Sequence, residues 1–539
     1  MEAVSLDAAQ RFTAALNQLG ETGDMNRRKK GEIPQSNPSS SAAAAKPIAV
    51  IDIGSNSGRV VVLRHSERGN FDTLEDVQAP LRLVEAVESF GYLPPEVIEH
   101  TRNVLRDFAA VAKHAGAKQI VAVGTAAVRE ATNGEAVMAQ LAAEMGFKID
   151  IITGKQEAQY AFNGAIHGMA LENGMLVDIG GGSMQIVRFR RRKLTKSWTF
   201  PLGALRLSTR YLRNDPPSLE ERQELTEHIE GLLLEAAIPR LRADEHLVGT
   251  GGTIRNLARM DRRTHKYPIS RLHGYVLTRA RLSHIKLSLE GTTRGERLKT
   301  PGLNDERVDS IVGGAFAVQS VMNATHALEM QISGLGLRDG LAIGSITGTP
   351  TSIAEVRSSA IVALTNRFSS YNGDAAARRK KIAIELFNAL APLVEPDYAE
   401  LLSYAATVLD IGKAIDYYNR HDHTADILIA TDLPCFSHHD IAMLAALIKS
   451  AGSRSASFKG YGPLISPEDE VIVRRLGAIL DLSDEIEKRT VPEAPLNIIR
   501  FMREANTIIM NVPLLDRHEL TLLTIRYRDL LGDVELCVN

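Results

Sequence analysis

Two short segments of this chain end an apolar strand on an aspartate, turn through small residues and re-enter a strand: Ile51-Asp52-Ile53-Gly54-Ser55-Asn56-Ser57 and Val177-Asp178-Ile179-Gly180-Gly181-Gly182-Ser183. A turn of this kind offers backbone N–H groups to an anion, while the adjoining carboxylate can hold a hydrated cation or a water. The expected ligand is a phosphate chain. A single copy would be an ordinary turn in which Asp bonds its own backbone and Gly supplies positive φ. The repetition argues for more, as does a third turn, Leu247-Val248-Gly249-Thr250-Gly251-Gly252-Thr253, that opens the helical run Ile254 to Met260. Helix N-termini attract anions through unsatisfied N–H groups and the macrodipole. No Gly-Lys-[Ser/Thr] follows these glycines, and their spacing is not that of a dinucleotide fingerprint.

The elements that must carry these turns alternate from Pro47 onward. Strands are predicted near 48–52, 59–63, 119–123, 148–152, 175–178 and 184–189, with helices over Gly134 to Met145 and Lys155 to Met169. Such alternation indicates α/β domains with ligand loops at the sheet edges. A second block, with helices at Ser218 to Ala237 and Asn304 to Ala327, runs to the segment Gly336 to Gly340. Beyond Pro350 helical spacing takes over through Ala375 to Leu393, Tyr398 to Ala414 and His439 to Lys449. Thr507 to Asn511 and Leu520 to Arg526 are expected to form a closing hairpin. Residues 1–46 carry a basic run and a Ser/Ala-rich stretch and are expected to be disordered. The boundaries read 47–170 for the first domain, 171–345 for the second and 350–539 for a helical third, with a closing segment at about 334–348 returning to the first.

At 539 residues the chain needs two to four domains. Its net charge of −2 argues against nucleic acid as an obligatory partner. Cys435 and Cys537 are its two cysteines, which excludes a disulfide framework and fits a reducing cytosol. No apolar run reaches membrane-spanning length, so a cytoplasmic protein with no membrane partner is expected. Two basic runs, Arg188 with Arg190 to Lys193 and Arg378 to Lys381, are candidates for lining a polyanion channel.

The joint order of Asp52 to Ser57, Gly124-Thr-Ala-Ala-Val-Arg129, Thr153-Gly-Lys-Gln-Glu157, Asp178 to Ser183, Pro201-Leu-Gly203 and Gly249 to Thr253 resembles the Ppx/GppA family. That family comprises exopolyphosphatases and guanosine pentaphosphate phosphohydrolases, within the actin-like ATPase superfamily. The resemblance implies an α/β fold of two ribonuclease-H-like domains around a cleft, followed by a mainly helical domain similar to the HD phosphohydrolase fold. It implies Glu157 as the base that activates water, and Arg129 as a phosphate-clamping guanidinium. Asp52, Ser55, Asn56, Ser57, Gly180, Gly181, Gly182, Ser183, Gly251, Gly252 and Thr253 are the implied phosphate-binding set. Asp178 is the implied ligand of Mg²⁺ or another divalent cation. Family members commonly have Glu where this chain has Gln185; an amide coordinates through oxygen without the carboxylate's charge, so Gln185 is a weaker second metal ligand. In the helical domain Leu409 stands where the metal-binding His of an HD pair would precede Asp410, so no hydrolase activity is expected there. His421 and His423 are expected on a solvated helix start. The helical domain is expected to extend the substrate channel and to form a homodimer.

The function that follows is an exopolyphosphatase releasing orthophosphate from inorganic polyphosphate. The alternatives are a guanosine pentaphosphate 5′-phosphohydrolase and a catalytically weak regulatory protein that binds guanosine penta- or tetraphosphate or polyphosphate.

Overall fold

The computed structural model describes residues 47–65, 71–346, 352–369, 371–390, 396–504, 507–512, 514, 528–532 and 535–538. The expectations for residues 1–46 and for Leu520 to Arg526 lie outside these residues. Fourteen strands form three sheets among them. In the first sheet, β1 (Ile48–Ile53), β2 (Ser57–His65), β3 (Phe71–Pro80), β4 (Gln119–Gly124) and β5 (Ile149–Ile151) lie in the order β3-β2-β1-β4-β5. The second sheet holds β6 (Gly174–Ile179), β7 (Met184–Arg190), β8 (Lys193–Phe200), β9 (His246–Thr250), β10 (Val276–Thr278) and β11 (Glu329–Ile332), in the order β10-β11-β9-β6-β7-β8.

The two sheets share one plan. An antiparallel meander runs β1-β2-β3 in one and β6-β7-β8 in the other, and each central strand pairs in parallel with the strand of a following crossover, β4 or β9. Register carries the likeness down to single residues: Asp52 lies opposite Arg59 as Asp178 lies opposite Gln185. The β1 and β6 segments are apolar runs buried on both faces, as central strands of covered sheets must be.

What covers those faces departs from chain order. Helices Pro95–His114 and Gly134–Met145 cover one face of the first sheet through Val104, Leu105, Phe108, Met138 and Leu141. Its other face is covered by helix Leu337–Ile346, whose Leu341 and Ala342 pack on Val50, Val61 and Val123. The second sheet is covered on one side by helices including Gly251–Thr264 and Ile311–Ala324. On the other side Phe162, Ala165 and Ile166 of helix Gly154–Gly168 pack on Leu176, Val187 and Phe189. Each of the larger side chains among these, Phe162, Ile166, Leu176, Val187 and Phe189, contributes about 1.5–3 kcal/mol. By packing, helix Gly154–Gly168 thus sits with the second sheet, although the expected edge of the first domain is residue 170, and Leu337–Ile346 sits with the first. The two helices cross where Gly164 meets Gly336 and Gly340 meets Tyr160; a Cβ on Gly164 or Gly340 would strike the opposing backbone.

The third region is helical, built from Ile353–Thr365, Gly373–Ala389, Ala399–Val408, Arg420–Ala430, His438–Gly452 and Pro467–Arg489 around one apolar core. A small sheet follows: β12 (Arg500–Glu504) pairs antiparallel with β13 (Thr507–Asn511), and β14 (Glu535–Val538) adds in parallel. The partner of Thr507–Asn511 in the hairpin is therefore the preceding strand.

Much of both basic runs is taken up by the fold, which narrows their reading as a channel to the exposed Arg191, Lys193 and Lys380. Arg188 chelates Glu245, Arg190 reaches Asp244, and Arg192 donates to the carbonyls of Ile166, Met169 and Leu171, closing the end of helix Gly154–Gly168. Arg378 pairs with Glu487 and Lys381 with Glu385. Arg379, fully buried, donates to Asp410 at 2.8 Å and Asp484 at 2.7 Å. Arg420 approaches both aspartates, Lys413 pairs with Asp410 and Lys488 with Asp484. Asp410 is thus surrounded by cationic side chains. His421, expected in solvent, lies partly buried against Gly452, and burial pulls its imidazole down to about 4.

Candidate active site

The two Asp turns meet. An added Cβ on Gly181 would collide with Asn56, and one on Gly182 with Ser55 Oγ, so only glycine permits this approach. Each turn is closed in the same way, Gly54 N–H donating to Ser57 O at 3.2 Å and Gly180 N–H to Ser183 O at 3.0 Å. The carbonyls of Ser55 and Asn56 receive N–H groups from Leu81, Arg82 and Val84; those of Gly180 and Gly181 receive them from Ala204, Leu205 and Arg206. No carbonyl among the described residues accepts from the N–H groups of Ser55, Asn56, Gly181, Gly182 or Ser183. Backbone donors left without protein partners in a turn form an anion-binding concavity.

Between the turns lies a cavity of about 110 Å³. Asp52, Ser55, Asn56, Ser57, Glu157, Asp178, Gly180, Gly181, Gly182, Ser183, Gln185, Gly251 and Gly252 all line it. Thr253 does not: its side chain is fully buried beneath Gly314, with Oγ1 unpartnered. Gly251 has φ of +88°, and a Cβ there would run into Asp178 Oδ1, so the third turn also closes on the carboxylate.

Glu157 occupies the first turn of helix Gly154–Gly168, which Thr153 and Gln156 start with a reciprocal capping box. Its Oε1 receives Ser183 Oγ at 3.4 Å and its Oε2 receives Arg129 Nη1 at 3.4 Å. Burial pushes the Glu157 carboxyl up to about 7; Arg129 opposes that rise, and the charges of Asp178 and Asp52 add to it. Asp178 is likewise pushed up to about 6 by burial, against the pull of Arg255. Asp52 is raised by burial despite Arg338 at 3.3 Å, and its Oδ1 is buried without a hydrogen-bond partner.

Arg129 stands behind the Glu157 carboxylate and is not among the residues lining the cavity: the same Nη1 also donates to Ile152 O at 2.7 Å. Nη1 thereby orients Glu157, while the rest of the guanidinium stays partly exposed. The arginines that do line the cavity are Arg59, whose guanidinium pairs with Asp76, and Arg255, Arg307 and Arg338; sequence reasoning assigns none of them a role. Two carry a signal in the sequence. Arg255 lies one helical turn beyond Gly251, and Arg338 sits inside the Gly336–Gly340 segment. Arg255 is fixed by carbonyls, Nη1 to Gly334 at 2.6 Å and Nε to Gly251 at 3.3 Å. Burial and neighbouring arginines lower Arg255 and Arg307 to about 10. Gln185 is buried and its amide nitrogen donates to Ser183 Oγ at 2.9 Å.

Residues 61–348 match the sequence model of the Ppx/GppA phosphatase family, more than half of the chain, and residues 356–528 match Ppx/GppA phosphatase, domain III. The chain belongs to the Ppx/GppA phosphatase family. Among Ppx/GppA relatives, Exopolyphosphatase 1 of Mycobacterium leprae is 27% identical over 316 residues, 58% of this chain and 93% of the relative. Exopolyphosphatase 2 of Mycobacterium tuberculosis is 29% identical over 314 residues, 55% and 97% of the two chains. The crystal structure of the Aquifex aeolicus Ppx/GppA family member superposes with a TM-score of 0.50 at 26% identity, covering 56% of this chain and 97% of that one. An exopolyphosphatase from Cytophaga hutchinsonii shares the fold with a TM-score of 0.53 at 24% identity, covering 56% and 99%. The two-sheet core is thus the actin-like fold of Ppx/GppA phosphatases, followed by the helical region. No helix among the described residues is long and apolar enough to cross a membrane.

Proposed function

We propose that this phosphatase is an exopolyphosphatase that hydrolyses the terminal phosphoanhydride bond of inorganic polyphosphate. One observation carries the reading: three largely buried carboxylates, the arginines Arg255, Arg307 and Arg338 and five unpaired backbone N–H groups converge on one phosphoryl-sized cavity. The N–H groups of both turns hold the non-bridging oxygens of the terminal phosphoryl, and Arg255 and Arg307 neutralise charge that shifts toward the leaving chain. Glu157, with a carboxyl near 7, is part ionised at neutral pH and takes a proton from the attacking water, the condition in which a general base works best. Ser183 Oγ and Arg129 fix the direction in which that carboxylate points.

Mg²⁺ fits the residues present. Asp52 has an orphaned buried oxygen, and its charge adds to the rise of Asp178, a surplus of negative charge that a divalent cation relieves. Asp178 and Asp52 would hold it, with Gln185 alongside, and such an ion takes one or two carboxylates and completes its shell with water and phosphate. When bound, it supplies charge neutralisation to the phosphoryl oxygens.

Phosphate release from long-chain polyphosphate, read with malachite green with and without Mg²⁺, tests the reading; no release under any divalent cation overturns it. Guanosine pentaphosphate ends in the same anhydride, and competition between the two purified substrates ranks them. A cytoplasmic homodimer belongs to the same proposal, with light scattering as the check on assembly.

A further inference from the structure

Helix Gly251–Thr264 starts at the cavity, where Gly251 and Gly252 form part of the lining, and runs away from it. Thr253, Ile254, Asn256, Leu257, Ala258, Met260 and Asp261 of this helix are buried. Its remaining strip carries Arg255, Arg259, Arg262 and Arg263, the spacing i, i+4, i+7, i+8 of one helical face. A helix rises about 5.4 Å per turn, so the row sets a guanidinium at each turn away from the cavity.

Several buried or half-buried arginines elsewhere in the chain are neutralised by acids. Arg188, Arg206, Arg222, Arg357, Arg378 and Arg379 each sit on a carboxylate. Among the described residues no ion pair involves Arg255, Arg259, Arg262 or Arg263. Arg259 instead donates to Asn304 Oδ1 at 2.7 Å, and Arg262 Nε is buried without a partner. Burial, then the neighbouring positive charges of Arg262 and Arg263, lowers the Arg259 pKa; burial, then Arg263, lowers that of Arg262. A favourable interaction with the helix C-terminus accounts for Arg262 and Arg263 in the last turn, but not for Arg255 and Arg259 nearer its start. Like charges held in a row without carboxylates, Arg255, Arg259 and Arg262 partly desolvated and Arg263 exposed, fit a polyanion with a regular charge repeat.

We propose that the phosphate units behind the one being cleaved lie along Arg259, Arg262 and Arg263, making this helix face the track that holds a long polyphosphate chain. The inference rests on the exopolyphosphatase reading and adds where the rest of the substrate goes. A short chain ends within the cavity, whereas a long one spans the row, so the track acts on chain length.

The test compares the full-length protein with its Arg262→Gln/Arg263→Gln variant on long-chain polyphosphate and on tripolyphosphate. The ratio of the long-chain KM to the tripolyphosphate KM is expected to rise about tenfold, with a weaker dependence of the long-chain KM on salt. Arg262→Lys/Arg263→Lys should recover most of the loss, and matching melting curves exclude misfolding as its cause. An unchanged ratio overturns the track. If the unmodified protein releases phosphate from neither substrate, the exopolyphosphatase reading fails by itself. Calorimetric binding of long-chain polyphosphate then decides the track: weaker binding by the Gln variant supports it, and equal binding overturns it.

Discussion

Asp52, Glu157 and Asp178 in the cavity and Asp410 and Asp484 in the helical domain are all carboxylates withdrawn from water, yet their surroundings act on them in opposite directions. In the helical domain Arg379, Arg420, Lys413 and Lys488 contact the two aspartates at 2.7–3.4 Å, and both pKa values fall. In the cavity Asp52 has Arg338 at 3.3 Å, Glu157 has Arg129 at 3.4 Å, and all three carboxyls rise. Arginines are present in both places. In one they are paired with the acids; in the other several face the same space as the acids without closing on them. The difference separates a cluster whose acids are neutralised by the protein's own cations from one whose acids are not.

The largest expected effect breaks the cavity side. Glu157→Gln removes the base while keeping the shape of the side chain, and kcat for phosphate release should fall by about 10²–10⁴-fold with polyphosphate binding retained. Near-normal turnover would remove Glu157 from the mechanism. On the other side, Asp484→Ala leaves Arg379 and Arg420 buried with half of their counter-charge, and should destabilise the helical domain by about 3–5 kcal/mol, read by chemical denaturation. A loss below about 1 kcal/mol would mean the cluster is solvated and the contrast between the two regions is false.

Much of the cavity was legible because its chemistry is local. Asp52 and Asp178 stand at the ends of strands and Glu157 shortly after one, all beside small residues, so a few positions of sequence fix where each side chain emerges. The arginines were not legible in this way. Arg188 meets Glu245, and Arg378 meets Glu487, across long stretches of chain, so the density of charge in a run says nothing about whether carboxylates arrive to neutralise it. The converse holds for Arg255, Arg259 and Arg262, which are spread through a helix and become a row only when its other faces are buried. β3 was missed because Phe71–Pro80 mixes Asp, Glu and Gln into an edge strand, where no continuous apolar run is required. The exchange of helices Gly154–Gly168 and Leu337–Ile346 between sheets follows from packing, which periodicity does not encode.

The pH dependence sharpens the comparison because its sign differs between the regions. Glu157 binds its proton more tightly in the folded chain, so its contribution to stability is fullest below about 4.5 and is lost as pH rises toward 7. Asp410 and Asp484 hold their protons less tightly when folded, so their contribution is present above the ordinary aspartate range near 3.8 and is lost on acidification below it. Denaturation of the free protein followed from about pH 8 to about pH 3 should show both trends, the first reduced in Glu157→Gln, where Asp178 and Asp52 still contribute, and the acid one reduced in Asp484→Asn. Since the base must be ionised, kcat/KM should fall on the acid side with a limb near pH 7. A flat profile from about pH 5 to about pH 8 would contradict a raised Glu157.

The smallest expected effect tests whether the two regions are joined. Gly168 O, at the far end of the helix that carries Glu157, accepts Cys435 N–H from the helical domain at 2.7 Å and His273 Nε2 at 2.9 Å. The other imidazole nitrogen, Nδ1, accepts Gly334 N–H at 3.1 Å, and Gly334 O receives Arg255 at 2.6 Å. Both bonds require the neutral ring with its proton on Nε2. His273→Gln can keep the donor and loses the acceptor, whereas His273→Asn can keep the acceptor and loses the donor. Losing one hydrogen bond is worth about 0.5–1.5 kcal/mol, so His273→Gln should raise KM for polyphosphate roughly two- to tenfold through Arg255, and His273→Asn should raise it less. Equal KM values in both variants, with melting temperature lowered in each, would leave His273 as packing between domains and the cavity as independent of the helical region.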